Sequence, residues 1–381
     1  MTTIFVVCGN VNYTNLSRYS PLSEKTYRRH FAAGIGVEVL NQGLIEQVSA
    51  PENEQIAVVD CTFVEKSGRH TYGLDWFYNG KTQRAERGLE WSVVGIVDLA
   101  QQTGYALSAQ QTEAGIQAPI SKPGNPDEAK SRVDFYIGHL AYCQSYLPDR
   151  VRYVAADGFY GKRKWVDGVV GLNLHAIGKL RCDANLKFLY DGPQKPKGAR
   201  RRYGDKVNLA DPSQFEFVDD LGEGVKLYTA LVWSVSLKRI VRLAYLLKEQ
   251  KGKSSYVLLF STDLAIDPRN IYRYYSARFQ IEFIFRDARQ FTGLADSQAR
   301  NADALDSHVN VSLCALNLAK AALRQDHPKN EPISFSIASF KRLALNEHLL
   351  NLFMTAFALD PEVIQSHDNY PDLLAYGTLS P

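Results

Sequence analysis

Residues 271–290 read IYRYYSARFQIEFIFRDARQ, and Asp267-Pro268 just ahead of them supply a cap followed by proline at the first helical position. The stretch predicts one helix over 267–290 that stops before Gly293. At roughly 100° per residue, Tyr275, Arg278, Glu282 and Arg289 fall within an arc of about 60°. A phenol, a guanidinium, a carboxylate and a second guanidinium then project together. An exposed i,i+4 ion pair between Arg278 and Glu282 is the plainer reading, worth only a few tenths of a kcal/mol. It leaves the acid's neighbours unexplained: Phe279, Ile281, Phe283, Ile284 and Phe285. A helix this apolar lies against a sheet, and a carboxylate on it needs a partner.

The sheet is written upstream. IAVVDCTFV (56–64) is an apolar run of strand length, and WSVVGIVDLA (91–100) and GYALSA (104–109) are two more. A helix is predicted over 126–147, with proline at its start. RYVAAD (152–157) follows as the fourth strand, then a helix over 162–170 and NLHAIGKLR (173–181) as the fifth. Three consecutive strands followed by alternating units predict an α/β fold with a mixed sheet flanked by helices, the order of an RNase H-like domain. Residues 183–255 break the alternation with FEFVDD, VKLYTALVWSVS and KRIVRLAYLL, and read as a β-rich insertion. SSYVLLFSTD (254–263) is a last strand near the core sheet, followed by helices near 303–324 and 337–358 and an irregular tail after Pro361. Residues up to about 50 look helical. There Ser23 caps a basic helix that fits the second helix of a helix-turn-helix as well as it fits a solvated amphipathic helix.

Three acids stand at or near the ends of apolar strands: Asp60, Asp98 and Asp157. Carboxylates buried there are costly unless paired or metal-bound. Topology separates them. If the first two strands form an antiparallel hairpin, Asp98 lies at the opposite edge from Asp60. The fourth strand follows a helical crossover and can run parallel to the first, which sets Asp157 beside Asp60. Each acid alone has a plainer role, since strand-end Asp residues make Asx turns and Asp157-Gly158 reads as one.

Composition narrows the class. The 381 residues are 45% hydrophobic and 22% charged, enough for a sizeable core. Lys and Arg total 44 against 41 Asp and Glu, so a nucleic-acid footprint must come from clustering. The densest basic run is Lys195, Lys197, Arg200, Arg201, Arg202 and Lys206, in a stretch with Pro and Gly. Five cysteines without metal-knuckle spacing read as free thiols. There is no signal-peptide pattern and no membrane-spanning run, so a cytoplasmic protein is expected. A G-x-S-x-G elbow, a phosphate-binding P-loop and a dinucleotide fingerprint are all missing, which ranks an unrelated α/β hydrolase last.

Tyr275-x2-Arg278-x3-Glu282-x6-Arg289 resembles the Tyr-Arg-Glu-Lys signature of one large group of DDE transposases from bacterial insertion sequences, with Arg289 where the family has Lys. VVDCTFVEKSG (58–68) and VAADGFYGKRKWVDGVVGLNLHAIGKLR (154–181) look like the regions around that family's two catalytic Asp residues. The resemblance covers roughly residues 55–182 and 256–325, and the β-rich segment lies where this group carries an insertion. It implies an RNase H-like catalytic domain over 55–182 and 256–330, an insertion over 183–255, a helical segment over 1–54 that is a candidate for DNA binding, and a helical C-terminal segment over 331–381. It also implies that Asp60, Asp157 and Glu282 are catalytic and hold two Mg²⁺ or Mn²⁺ ions for cleavage at transposon ends and strand transfer into target DNA. Tyr275, Arg278 and Arg289 would contact phosphates near the cleaved end, Arg289 with a fork where Lys offers a point charge. Lys195, Lys197, Arg200, Arg201 and Arg202 would track the backbone. Trp233 would stack on a flipped base, as an aromatic does in some relatives, against the plainer reading of a packed hairpin residue. The expected partners are double-stranded DNA and a second copy on paired ends, in a nucleoid-associated bacterial protein. A nuclease without strand transfer and a silent DNA-binding derivative are the competing readings.

Overall fold

The computed structural model describes residues 1–116, 131–250 and 253–379. Four helices come first: α1 (Thr3–Val6), α2 (Tyr13–Leu16), α3 (Glu24–Ala32) and α4 (Glu38–Val48). Ser23 caps α3 through the Thr26 amide. Phe31 on that helix is buried against Tyr13 and His308, so α3 belongs to the body of the protein.

The sheet begins with β1 (Gln55–Glu65), β2 (Asp75–Asn79), β3 (Arg84–Asp98) and β4 (Thr103–Gln111). Next come α5 (Arg132–Cys143), β5 (Tyr153–Ala156), α6 (Arg163–Gly171) and β6 (His175–Leu180). The start of the helix expected from Pro126 lies outside the described residues, and Ser131 caps α5 in a capping box with Asp134. β2 falls in a stretch that reads as a connection, because its five residues alternate exposed and buried rings with no apolar run.

Six more strands complete the sheet: β7 (Leu186–Leu189), β8 (Tyr203–Lys206), β9 (Glu216–Asp220), β10 (Val225–Ser234), β11 (Arg239–Gln250) and β12 (Lys253–Ser261). The main path runs β2-β3-β1-β5-β6-β12-β11-β10-β7-β8, with β4 on β3 and β9 on β10. β1, β5 and β6 are parallel, whereas β3 and β12 run against them. The mixed sheet flanked by helices is therefore the RNase H-like arrangement. The strands of 183–255 extend that same sheet, because β12 bonds β6 on one side and β11 on the other.

The expected single helix over 267–290 is broken. α7 (Pro268–Ala277) ends where Arg278 and Phe279 begin a tighter turn, and α8 (Gln280–Asp287) follows. At the joint the amides of Ile281 and Glu282 bond back three residues, to Arg278 and Phe279. α7 packs over β10, β11 and β12, whereas α8 packs over β1 and β4. A straight rod cannot follow both ends of a twisted sheet. A π-helical turn over Ala288–Thr292 then closes on Gly293 at φ +82°.

α9 (Ala302–Arg324) is buried along most of its length, and α10 (Ile337–Ala356), α11 (Pro361–Gln365) and α12 (Tyr370–Leu374) complete the chain. The tail expected to be irregular thus holds two short helices. α9 also solves an edge problem. Asn310 bonds both backbone groups of Ala109, and Asn317 both of Ala106, covering the side of β4 that no strand pairs. Apolar cores fill both faces: α7, α8 and α9 with α1, α2 and α3 on one, α4, α5 and α6 on the other. Among the described residues no helix is long and apolar enough to cross a membrane.

His139 of α5 is 1% exposed between Ser92 and Ser108, and burial pushes its imidazole down to about 3. Between that value and its ordinary 6.5 the unfolded chain binds a proton that the folded protein refuses. Its contribution is therefore complete above pH ~6.5 and is lost as pH falls, by about 1.4 kcal/mol per unit. His139→Gln should flatten this slope between about pH 4 and 6 in chemical unfolding. Equal slopes for the two proteins would show that the imidazole titrates normally.

Candidate active site

Register places the first two acids. Val59 of β1 pairs with Ala156 of β5, so the next residues, Asp60 and Asp157, stand side by side. β5 ends there, but β1 runs on to Glu65 along β3, so Asp60 stands in mid-strand and not near the strand end that the apolar run suggested. Asp98 lies opposite Gln55, at the other end of β1. There it accepts from the Asn53 side chain and from the Ala100 and Gln101 amides, a buried structural turn.

The third acid arrives from above the sheet. Ile281, Ile284 and Phe285 anchor α8, and Gly104 lets the helix close in. A Cβ at Gly104 would stand 3.0 Å from Gln280 Cβ and 3.2 Å from Ile284 Cδ1. Asp60, Asp157 and Glu282 line one cavity of about 940 Å³.

Arg278 sits between two of the acids. Its Nη1 is 3.7 Å from Asp60 Oδ2 and its Nη2 is 3.4 Å from Glu282 Oε1. Its guanidinium lies 5.5 Å from the Tyr275 ring. The Arg278 side chain is only 12% exposed, and its Nε is buried without a hydrogen-bond partner. The other contacts of the acids are local: Asp60 Oδ1 accepts from the Cys61 amide, and Asp157 Oδ1 accepts from the Phe159 amide. Among the described residues, no three His, Cys, Asp or Glu side chains are already gathered tightly enough to hold a metal ion.

Burial, then the neighbouring Asp157 charge, push the Asp60 carboxyl up to about 7; the Cys61 amide and Arg278 pull the other way. Burial also raises Tyr275 and lowers Arg289. Arg289 spends one nitrogen on β1: its Nη2 donates to Thr62 Oγ1 and to the Phe63 carbonyl, both at 2.6 Å. The four residues expected on one helix arc thus still converge beside Asp60, through a helix joint and a π turn.

Other expected residues are elsewhere. Trp233 on β10 stacks on Tyr203 at 4.6 Å, and β10 is five strands from β1, about 24 Å by strand spacing. The structure keeps this ring away from the acids. Lys195, Lys197, Arg200, Arg201 and Arg202 lie in the exposed connection between β7 and β8, at the far end of the sheet. Arg201 is partly used there, over the Tyr190 ring and near Asp205.

Sequence reading passed over Glu90, which also lines the cavity. It is 5% exposed and accepts from Tyr136 and Thr112. Burial raises its carboxyl, against those two bonds and Arg132. A lone acid in the run RGLEWSVVGIV was a usable signal. Tyr160 was not, because only the fold brings its hydroxyl 3.4 Å from Cys61 Sγ.

Two parallel strands delivering paired acids, with a third from a helix, is the arrangement that the sequence resemblance required. A family described as DDE superfamily endonuclease matches residues 32–227, and one described as transposase DDE domain matches residues 139–318. The chain belongs to the DDE superfamily. Between them the two matches contain Asp60, Asp157 and Glu282. No curated protein matches this DDE chain.

The raised Asp60 value makes a stability prediction. Between pH ~4 and ~7 the folded protein holds a proton that the unfolded chain, near 3.8, has released. This group therefore favours folding at low pH and costs stability as pH rises through 7. Asp60→Asn cannot ionise, so in EDTA it should melt at a higher temperature than wild type at pH 8. The gap should close toward pH 4. An equal or lower midpoint for the variant at pH 8 would mean that Asp60 carries no such load.

Proposed function

We propose that this DDE protein is a transposase that cleaves DNA at the ends of its element and joins the freed 3′ hydroxyl to target DNA. Asp60, Asp157 and Glu282 are its catalytic acids. The observation that carries this reading is the convergence of the three on one cavity, two from adjacent parallel strands and one from α8.

The donor set suits the metal that this chemistry uses. Three carboxylates offer only oxygen, the preference of Mg²⁺ and Mn²⁺, and a cation there would offset both the burial of Asp60 and the neighbouring Asp157 charge, which push its carboxyl up. When bound, two such ions supply an activated water or 3′ hydroxyl and charge neutralisation at the leaving oxygen. The rest falls to the chain. Glu282, which faces Arg278, would hold the metal together with Asp60 and Asp157. Arg278, already buried and with Nε unpartnered, is then available to a phosphate oxygen beside Tyr275. Arg289 is held to β1 by one nitrogen and offers the others to the same backbone.

The exposed run from Lys195 to Arg202 suits a phosphate-tracking loop. It lies some seven strand spacings from β1, about 34 Å, which is roughly ten base pairs along a duplex. Two element ends brought together call for a second copy of the chain.

The test is a labelled duplex from the end of the element, with Mg²⁺, Mn²⁺ or EDTA. Wild type is expected to cut at the end only with metal. Glu282→Gln and Asp157→Ala should bind it and lose at least about a hundredfold in cleavage rate. Cleavage without joining to added target DNA would select a nuclease. Binding without cleavage under either metal would select a silent DNA-binding protein. Variants that cut as fast as wild type would remove the three-acid assignment.

A further inference from the structure

The cavity that holds the acids extends well past them and ends on the turn between β2 and β3, where Tyr78, Asn79, Gly80 and Lys81 line it. Nothing in the catalytic reading uses that end.

The turn projects beyond the rest of the sheet. The last residue of β1, Glu65, pairs with Gly88, whereas β3 starts at Arg84 and pairs with β2 from there. A Cβ at Gly88 would stand 2.5 Å from the Phe63 ring and from the Val64 carbonyl, so the two strands press together where the projection begins. The turn is also held in one shape. Asn79 Oδ1 accepts from the Lys81 amide at 3.0 Å, the Asn79 carbonyl accepts from the Gln83 amide at 2.8 Å, and Asn79 Nδ2 donates to Glu86 at 2.6 Å.

What it presents is aromatic and basic. Tyr78 is 58% exposed and Trp76 62%, while Phe77 between them is buried under the Arg132 guanidinium. Lys81 is exposed at the tip. Phe159, next but one to Asp157, also lines the cavity at 45% exposure, with Lys162 Nζ 3.5 Å from its ring centre. Exposed rings interleaved with cations along a groove are how proteins hold single strands, through base stacking and phosphate neutralisation. The cavity of about 940 Å³ reaches from the acids to this turn, so one strand can run between them.

We propose that the β2–β3 turn is a second nucleic-acid arm of the cavity. Tyr78 stacks on an unpaired base of the strand that runs from the acids along the cavity, and Lys81 neutralises a phosphate of that strand. The proposal rests on the reading of the cavity as a DNA-cleaving site and names how the strand beyond the cleaved bond is held.

The test uses the whole chain with a labelled oligothymidine and a duplex of the same length, and in parallel the Mn²⁺-dependent nicking of a supercoiled plasmid. Tyr78→Ala should weaken single-strand binding about tenfold, while Tyr78→Phe stays within about twofold. Lys81→Ala should reduce the dependence on log salt by about 0.7, with duplex binding changed less than about twofold in all three. Single-strand binding unchanged in Tyr78→Ala, or absent in wild type, overturns the arm. So does an equal loss for duplex and single strand. If nicking persists in that case, the cleavage reading stands without the arm. If wild type never nicks yet single-strand binding depends on Tyr78, the arm stands and the cleavage reading falls.

Discussion

The parallel pairing of β1 with β5 sets the terms for the rest of the molecule. Val59 opposite Ala156 leaves Asp60 and Asp157 no choice but to stand side by side. Burial first, and then repulsion from Asp157, push the Asp60 carboxyl well above the usual carboxylate range. A fold built for stability alone would put apolar residues there. Keeping the acids means that cations must be near, and the protein places Arg278 between Asp60 and Glu282 for that purpose.

Arg278 owes its position to the break in the helix. A continuous rod from Pro268 to Asp287 would leave one end standing off the twisted sheet. The tight turn at Arg278 and Phe279 lets α7 lie on β10 to β12 while α8 lies on β1 and β4. Gly104 and the buried Ile281 and Ile284 fix α8 at the short distance that Glu282 needs. The π turn that follows re-aims Arg289 onto Thr62 and Phe63 of β1. Each irregularity in this helix serves one side chain at the acids.

The remainder of the sheet supplies reach. Strands β7 to β11 carry it outward from β12, so the basic stretch between β7 and β8 lies tens of ångströms from the acids. At the other edge, β3 is long enough to serve β4 along Trp91–Asp98 and β2 along Arg84–Gly88. α9 seals β4 with Asn310 and Asn317, and the projecting β2–β3 turn lines the cavity away from the acids.

Much of this was legible in the chain itself. Apolar runs with period and length determined the central strands, and a crossover between RYVAAD and IAVVD determined that Asp157 and not Asp98 neighbours Asp60, because helical crossovers return strands parallel. The apolar surroundings of Glu282 marked it as an acid needing a partner. What the sequence could not determine depends on contacts distant along the chain. The helix joint at Arg278 answers to sheet twist, which no local propensity records. β2 alternates rings in five residues and becomes a strand only because β3 offers it an edge. Trp233 reads the same in sequence whether it meets a base or Tyr203, and only strand order puts it about 24 Å from β1. Local pattern determines which residues form an element and which face is apolar; which elements then meet is decided by packing across the whole sheet.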